Sequence, residues 1–171
     1  ATTSCTSALH LAALALGLKE GDEVIVPAFT WVTSAYSVEY VGATPIFADI
    51  DLGTYNIDPK SIEENLSSKT RAIIAVHLFG RAAPMAEIMR IAKKHDLLVI
   101  EDAACAVGTS YNNIPVGAIG DVGCFSFHPR KVITTGEGGM VTTNRAELAE
   151  RVKSLRNHGS TGPAFGSDPS K

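Results

Sequence analysis

The chain has 171 residues, which is enough for one domain with a sizeable hydrophobic core. Hydrophobic residues make up 45% and charged residues 19% of it, the ordinary balance of a soluble globular protein. With a formal net charge of −3 and no run of Lys or Arg, the sequence gives no electrostatic support to nucleic-acid or membrane-surface binding, and we expect neither partner.

Two kinds of segment alternate along the chain. Helical patterns cover residues 4–18, 30–41, 59–66, 84–94 and 145–155. Strand-like runs cover residues 23–26, 44–49, 72–78, 97–102, 122–127 and 139–143. Turn signals such as EGDE and YNNIPVG separate these segments.

Several of the strand-like runs are continuously apolar. Runs such as AIIAVHLF (72–79) and LLVIED (97–102) are typical of strands that are buried on both faces. A sheet of such strands is mainly parallel and is covered by helices on both sides. The sequence therefore predicts an α/β domain in three layers (α/β/α) around a mainly parallel sheet.

Residues with useful chemistry follow four of the predicted strands. Trp31, His77, Asp102 and Lys131 come at or shortly after the ends of separate runs. Ligands of open α/β sheets bind outside the carboxyl ends of the strands. We therefore expect these four side chains to share one rim of the sheet.

Lys131 stands in SFHPRKVITTGEGG, residues 126–139, between a buried strand and a glycine-rich turn. A lysine at a strand end is ordinarily a solvated surface residue. The alternative is a lysine whose amine attacks a carbonyl to form a Schiff base. Its position does not decide between these interpretations.

Asp102 and Trp31 are open to two interpretations each. A carboxylate that closes a buried strand needs donors or a cation, so Asp102 either caps the following turn or pairs with a pyridinium nitrogen. A lone tryptophan is either a core residue or a plate on which a ring stacks.

The first helix begins in the hydroxyl-rich stretch TTSCTS, residues 2–7. Those hydroxyls either cap the helix alone or, with the free N–H groups of the first turn, bind a phosphate. Together, a phosphate-binding helix start, an aromatic plate, a strand-end carboxylate and a lysine are the groups that a pyridoxal phosphate (PLP) site requires.

Other kinds of site lack their motifs. The loop at Gly136–Gly139 does not have the G-x-x-x-x-G-K-[ST] spacing of a P-loop, and no G-x-S-x-G elbow of a hydrolase occurs. His10, His95 and His158 are scattered, so we predict no metal site. Cys5, Cys105 and Cys124 are also far apart, which argues against a disulfide framework and is typical of a cytoplasmic protein.

Motifs along nearly the whole chain resemble the DegT/DnrJ/EryC1/StrS family of PLP-dependent sugar aminotransferases. They stand in the family's order and spacing: TSALHLAALALGLKEGDEVIVPAFTWVTSA, GATPIFADID, VHLFG, VIEDAACAVG, GDVGCFSFHPRKVITTGEGGMVTT and LRNHG. The resemblance implies the large domain of fold-type-I PLP enzymes. It also implies transfer of an amino group from an amino acid, expected to be glutamate, to a nucleotide-linked keto-sugar, in a homodimer.

The resemblance also implies roles for individual residues. Lys131 matches the lysine that binds PLP as an imine and later moves the proton, and Asp102 matches the partner of the ring nitrogen. Trp31 matches the aromatic residue that stacks on the ring. The phosphate ligands are matched by three residues, Thr6, Ser7 and Ser126. Cys105 stands where glutamine or histidine is usual, at the position that the resemblance implies to lie near the ring hydroxyl.

Alternative functions remain open at this point. A subset of the family has histidine at the lysine position and performs dehydration, so Lys131 favours transamination over a PLP sugar dehydratase. A non-catalytic module with the same fold is the other alternative. The resemblance leads us to expect that residues 1–171 are most of a PLP-binding large domain, with an N-terminal segment and a C-terminal small domain outside them.

Overall fold

Helices and strands alternate throughout the computed structural model, which describes residues 1–160. Five α-helices occur in that range: α1 (Cys5–Leu16), α2 (Thr33–Glu39), α3 (Pro59–Glu64), α4 (Met85–His95) and α5 (Ala146–Leu155). The strands of the same range are β1 (Glu23–Pro27), β2 (Thr44–Ala48), β3 (Thr70–Val76), β4 (Leu98–Asp102), β5 (Ser110–Tyr111), β6 (Ile114–Pro115), β7 (Val122–Ser126) and β8 (Gly139–Thr142).

Six of these strands form one sheet in the order β2-β1-β3-β4-β7-β8. The first five are parallel, and only β8 runs antiparallel to its neighbour β7. The predicted mainly parallel sheet is therefore confirmed. Because five strands run in one direction, their carboxyl ends lie at the same edge.

Hydrophobic clusters cover both faces of the sheet. On one face, helices α1, α2 and α5 pack on side chains such as Ile74 and Ile100. On the other, α3 and α4 pack on Ile73 and Val99. Neighbouring residues along a strand thus enter opposite layers, and burial of each large aliphatic side chain stabilises the fold by about 1.5–3 kcal/mol. The three-layer α/β/α architecture is confirmed.

Helix α1 has clear end signals. The Ser4 side chain accepts a hydrogen bond from the Ser7 N–H at 3.1 Å, and Gly17 ends the helix with a φ of 80°. Four small or aliphatic residues of its buried face, Ala8, Leu9, Ala12 and Ala13, are at most 1% exposed. Their small size lets the helix backbone lie close to the sheet.

One hairpin was not predicted. Residues in YNNIPVG form the short strands β5 and β6, joined by Asn112 and Asn113 with φ angles of 49° and 63°. Asparagine tolerates this left-handed conformation, which a two-residue hairpin turn needs. Strands of two residues are too short to show an alternating pattern.

Helix α2 is shorter than predicted. The pattern indicated a helix from residue 30, but the structure begins it at Thr33 and leaves residues 28–32 as a loop after β1. None of the helices in residues 1–160 is long and apolar enough to cross a membrane.

Candidate active site

A cavity of about 380 Å³ opens at the carboxyl ends of β3, β4 and β7. Its wall includes all four residues expected at one rim: Trp31, His77, Asp102 and Lys131. The parallel strand order explains this placement. The volume lies within the range of small-molecule sites.

The loop between β7 and β8 positions Lys131 on the cavity wall. Its backbone N–H donates to the His128 carbonyl at 2.9 Å, and the loop closes where Phe127 N–H donates to Gly138 O at 2.9 Å. The half-buried side chain brings Nζ to 3.1 Å from Cys105 Sγ. No carboxylate within residues 1–160 forms an ion pair with this amine.

Asp102 ends β4 and is 4% exposed. Oδ2 accepts from Ser34 Oγ at 2.8 Å, and Oδ1 accepts from the Ala104 N–H at 3.1 Å. Burial raises the pKa of Asp102 above its usual value, although these two hydrogen bonds oppose the shift. Asp102 thus caps the following turn and also lines the cavity, so the two sequence interpretations are compatible.

Glu101 was not singled out from the sequence, yet it is fully buried beside Asp102. It accepts from the N–H groups of Gly117, Ile119 and Gly120 at 2.6–2.8 Å. Burial alone would raise the pKa of Glu101, but its hydrogen bonds with His77 and with the N–H groups of Gly120 and Gly117 lower it below the usual value. The only sequence signal for Glu101 was its place next to Asp102 in the same strand. Because neighbouring strand residues point to opposite faces, the two carboxylates must enter different surroundings.

His77 is also fully buried and uses both ring nitrogens. Nδ1 lies 3.0 Å from the Ala83 N–H and accepts from it, so the ring proton is on Nε2, which donates to Glu101 Oε2 at 3.0 Å. His77 therefore lines the cavity mainly as a structural residue that links β3 to β4.

The start of α1 reaches the cavity through Cys5 and Thr6. Within the described residues, the backbone N–H groups of these two residues have no acceptor. Ser7 is placed differently: its hydroxyl contacts Thr3 Oγ1 at 2.9 Å and Ser4 Oγ at 3.1 Å, in a second cleft between α1 and α5. A phosphate role for Ser7 stays a prediction, and the position of its hydroxyl does not favour it.

Gly139 is the residue that lets the helix start lie beside β8. It forms a two-way backbone bridge with Thr2, with N···O distances of 2.9 Å in both directions. A side chain at position 139 would overlap the backbone carbonyl of Ser4. The glycine thus brings the start of α1 next to β8, the strand that follows Lys131 in the chain.

Ser126 and Trp31 lie on different parts of the wall. Ser126 is 5% exposed, and its Oγ accepts from the His128 N–H at 3.4 Å, which leaves its hydroxyl hydrogen free to donate. Trp31 is 71% exposed in the loop after β1, so the interpretation of this residue as core is wrong.

The three cysteines are free and differ in environment. Cys105 is partly exposed on the cavity wall beside Lys131, whereas Cys5 and Cys124 are buried. Burial, followed by the nearby Asp102 carboxyl, raises the pKa of both buried thiols. Only Cys105 combines access with proximity to the lysine amine.

Three further residues of the wall, His128, Arg130 and Glu137, were missed in the sequence. His128 Nε2 lies 3.9 Å from Glu137 Oε1, and the Arg130 backbone N–H donates to His128 Nδ1 at 3.2 Å. The only sequence signal that placed them in the cavity was their proximity to Lys131 in the chain.

The donor set fits pyridoxal phosphate. Within residues 1–160 the Lys131 amine has no ion-pair partner, and Asp102 offers a buried carboxylate to a ring nitrogen. The open N–H groups of Cys5 and Thr6, with the Ser126 hydroxyl, offer donors to a phosphate. We find no misplaced charge among these groups that would oppose the cofactor.

Comparisons with known proteins point in the same direction. The model of the DegT/DnrJ/EryC1/StrS aminotransferase family matches residues 1–167. A GDP-perosamine synthase from Caulobacter vibrioides is 50% identical over 154 residues, which cover 90% of this chain and 42% of that protein. The chain thus spans less than half of the length of this relative.

Solved structures are also similar. An aminotransferase from Psychrobacter cryohalolentis superposes with a TM-score of 0.91 at 46% identity, over 92% of this chain and 40% of that one. NtdA from Bacillus subtilis, solved with bound cofactor PMP, gives a TM-score of 0.83 at 37% identity, over 90% of this chain and 34% of that one.

Proposed function

The chain belongs to the DegT/DnrJ/EryC1/StrS aminotransferase family, and on this premise we propose that the complete protein is a PLP-dependent sugar aminotransferase. It transfers an amino group from an amino-acid donor, expected to be glutamate, to a keto group on a nucleotide-linked sugar. The similarity to a GDP-perosamine synthase and to a structure with bound PMP supports this proposal.

One observation carries the proposal: Lys131 and Asp102 line the same cavity. The lysine amine has no ion-pair partner in residues 1–160, so it is available to hold the cofactor aldehyde. The Asp102 carboxylate, which has donors on both oxygens, is available to a protonated ring nitrogen. A desolvated carboxylate on the wall of a cavity favours a catalytic site over a non-catalytic module.

Bound PLP supplies an electron sink for the electron pair that is left when a C–H bond of the donor breaks. In this proposal Lys131 would hold the cofactor, and its Nζ would take the proton from the donor α-carbon and later deliver one to the sugar carbon. Asp102 keeps a positive charge on the ring nitrogen favourable. Ser126, the helix start at Thr6 and the indole of Trp31 would hold and orient the group, and Cys105 would face its ring hydroxyl.

The proposal extends to the complete protein. Residues 1–171 constitute most of the large, cofactor-binding domain, and a homodimer completes the site. A cluster of exposed aromatic rings supports an interface, since the Phe29 ring centroid lies 5.8 Å from that of Tyr55 and 6.5 Å from that of Phe79. Three scattered free cysteines support a cytoplasmic location.

The test uses the full-length protein with PLP, glutamate and nucleotide-linked keto-sugars. We expect PLP-dependent formation of amino-sugar, a stoichiometric yield of 2-oxoglutarate, and the parallel double-reciprocal lines of a ping-pong reaction. Loss of a sugar hydroxyl without amination would instead identify a dehydratase. Failure to bind PLP at all would identify a non-catalytic module.

A further inference from the structure

The carboxyl of Asp102 is connected to the cavity wall by two hydroxyl groups. Ser34 Oγ lies 2.8 Å from Asp102 Oδ2, and Thr30 Oγ1 lies 2.9 Å from Ser34 Oγ. Ser34 is fully buried, whereas Thr30 is partly exposed and lines the cavity. The sequence pattern does not distinguish either residue.

The direction of these hydrogen bonds follows from the number of protons. A carboxylate can only accept hydrogen bonds, so Ser34 must donate its single hydroxyl hydrogen to Asp102. The Ser34 oxygen then accepts from the Thr30 hydroxyl. All donors therefore point toward the negative charge, an arrangement in which each hydrogen bond polarises the next.

We propose that Thr30 and Ser34 are positioning residues that keep the Asp102 carboxylate ionised and fix its orientation toward the cavity. The Ser34 hydroxyl and the Ala104 N–H each take one carboxylate oxygen, so rotation of the carboxyl group would break both bonds. The proposal rests on the proposed function for its purpose, because an ionised Asp102 is what a protonated ring nitrogen requires.

Ser34 acts against the desolvation of the carboxyl. Burial raises the pKa of Asp102, and the hydrogen bond from Ser34 is the foremost influence that lowers it. The other titratable groups that face this carboxyl come from α1, β7, the end of β3 and the loop after β7: Cys5, Cys124, His77 and Lys131. Glu101 precedes Asp102 on β4 and enters its own network with His77 and three amides.

The experiment is a titration of Asp102 in the full-length protein, prepared free of cofactor and labelled with [4-13C]aspartate. The Asp102→Asn variant identifies the resonance. We expect the Asp102 midpoint to rise by about one pH unit in Ser34→Ala, since a hydrogen bond to a charged group is lost. Thr30→Val, which removes only the outer hydroxyl, should shift the midpoint in the same direction by less.

Two matched variants distinguish this role from general packing. Thr30→Ser keeps the hydroxyl and should titrate as the wild type does. Ser37→Ala removes another fully buried hydroxyl of α2, one that donates to the Ser34 carbonyl at 2.9 Å, and should also leave the midpoint unchanged. If Ser34→Ala does not fold, Thr30→Val against Thr30→Ser decides the question.

The inference would be overturned if Asp102 titrates with the wild-type midpoint in both Ser34→Ala and Thr30→Val. If Ser34→Ala does not fold, a wild-type midpoint in Thr30→Val is enough to overturn it. This outcome is separate from the proposed function, because PLP binding is measured on the same samples by absorbance. A shifted midpoint in a protein that binds no PLP would contradict the proposed function but would still support the positioning role of Thr30 and Ser34.

Discussion

Lys131 Nζ lies 3.1 Å from Cys105 Sγ on the wall of one cavity. A cofactor held by this amine would cover the thiol. We therefore expect iodoacetamide to modify Cys105 in the cofactor-free protein and PLP to slow that reaction by roughly tenfold or more. Peptide mass mapping after timed quenching measures the rate at each cysteine.

Cys5 and Cys124 provide the internal control. Both thiols are buried, and burial raises the pKa of each, so both should stay unmodified in the folded protein and react after denaturation. Equal labelling of Cys105 with and without saturating PLP would contradict the placement of the cofactor beside Lys131.

Replacement of Asp102 by Asn should stabilise the cofactor-free protein at neutral pH. Burial raises the folded-state pKa of Asp102, so its ionised form costs stability above that pKa. The gain over wild type should shrink as the pH falls through the folded-state pKa, and disappear below about pH 3.9, where the unfolded-state carboxyl is also protonated. Thermal unfolding of both proteins across this pH range checks the prediction. The same substitution should also lower the affinity for PLP.

A destabilised Asp102→Asn protein at pH 7 would contradict that account. Such a result would mean that the carboxylate contributes to the folded state through its hydrogen bonds more than it costs through desolvation. The neighbouring carboxylate, Glu101, provides a comparison because its pKa is shifted in the opposite direction.

Replacement of Glu101 by Gln should destabilise the protein by about 3 kcal/mol. Its two oxygens accept from three N–H groups and from His77, and a glutamine amide would set its own donors against some of them. Because the pKa of Glu101 is lowered, its contribution is present above the unfolded-state value near 4.3 and is lost as the pH falls through the folded-state pKa. Urea unfolding of both variants at pH 7 should therefore shift the midpoints in opposite directions; a shift in the same direction would contradict the two environments.

Replacement of Gly139 by Ala should weaken PLP binding as well as stability. The new methyl group would overlap the Ser4 carbonyl, so α1 must move away from β8, at a cost of about 1–3 kcal/mol. Gly53→Ala is the control, because its Cβ would meet only Asp51 Oδ1 at 3.4 Å. Denaturant unfolding and absorbance titration with PLP measure the two effects, and an unchanged PLP affinity in folded Gly139→Ala would argue against a phosphate site at this helix start.

The mainly parallel sheet and the shared rim were predictable because apolar runs and strand ends carry local signals. Lys131, Asp102 and Trp31 could be selected in this way. The Glu101 network could not, since its donors come from the loop at Gly117–Gly120, which shows no pattern of its own. Ser34 was hidden for a different reason: a serine in a helix start is usually a cap, and only the fold brings it to a carboxylate 68 positions away.

Ser7 illustrates the limit of motif matching. Thr6 and Ser7 are adjacent in the sequence, but successive helix residues point about 100° apart, so their side chains can meet different surroundings. The structure gives that place to Thr6 and turns Ser7 toward Thr3 and Ser4.

The identity of the residue that holds PLP tests the central claim most directly. Borohydride reduction of the full-length protein with PLP, followed by peptide mass mapping, should place the cofactor on Lys131. Lys131→Ala should give no trapped cofactor, whereas Lys153→Ala, which changes an exposed lysine paired with Glu150, should label as the wild type does. Cofactor trapped on a different lysine, or an unchanged yield in Lys131→Ala, would contradict the assignment of this cavity.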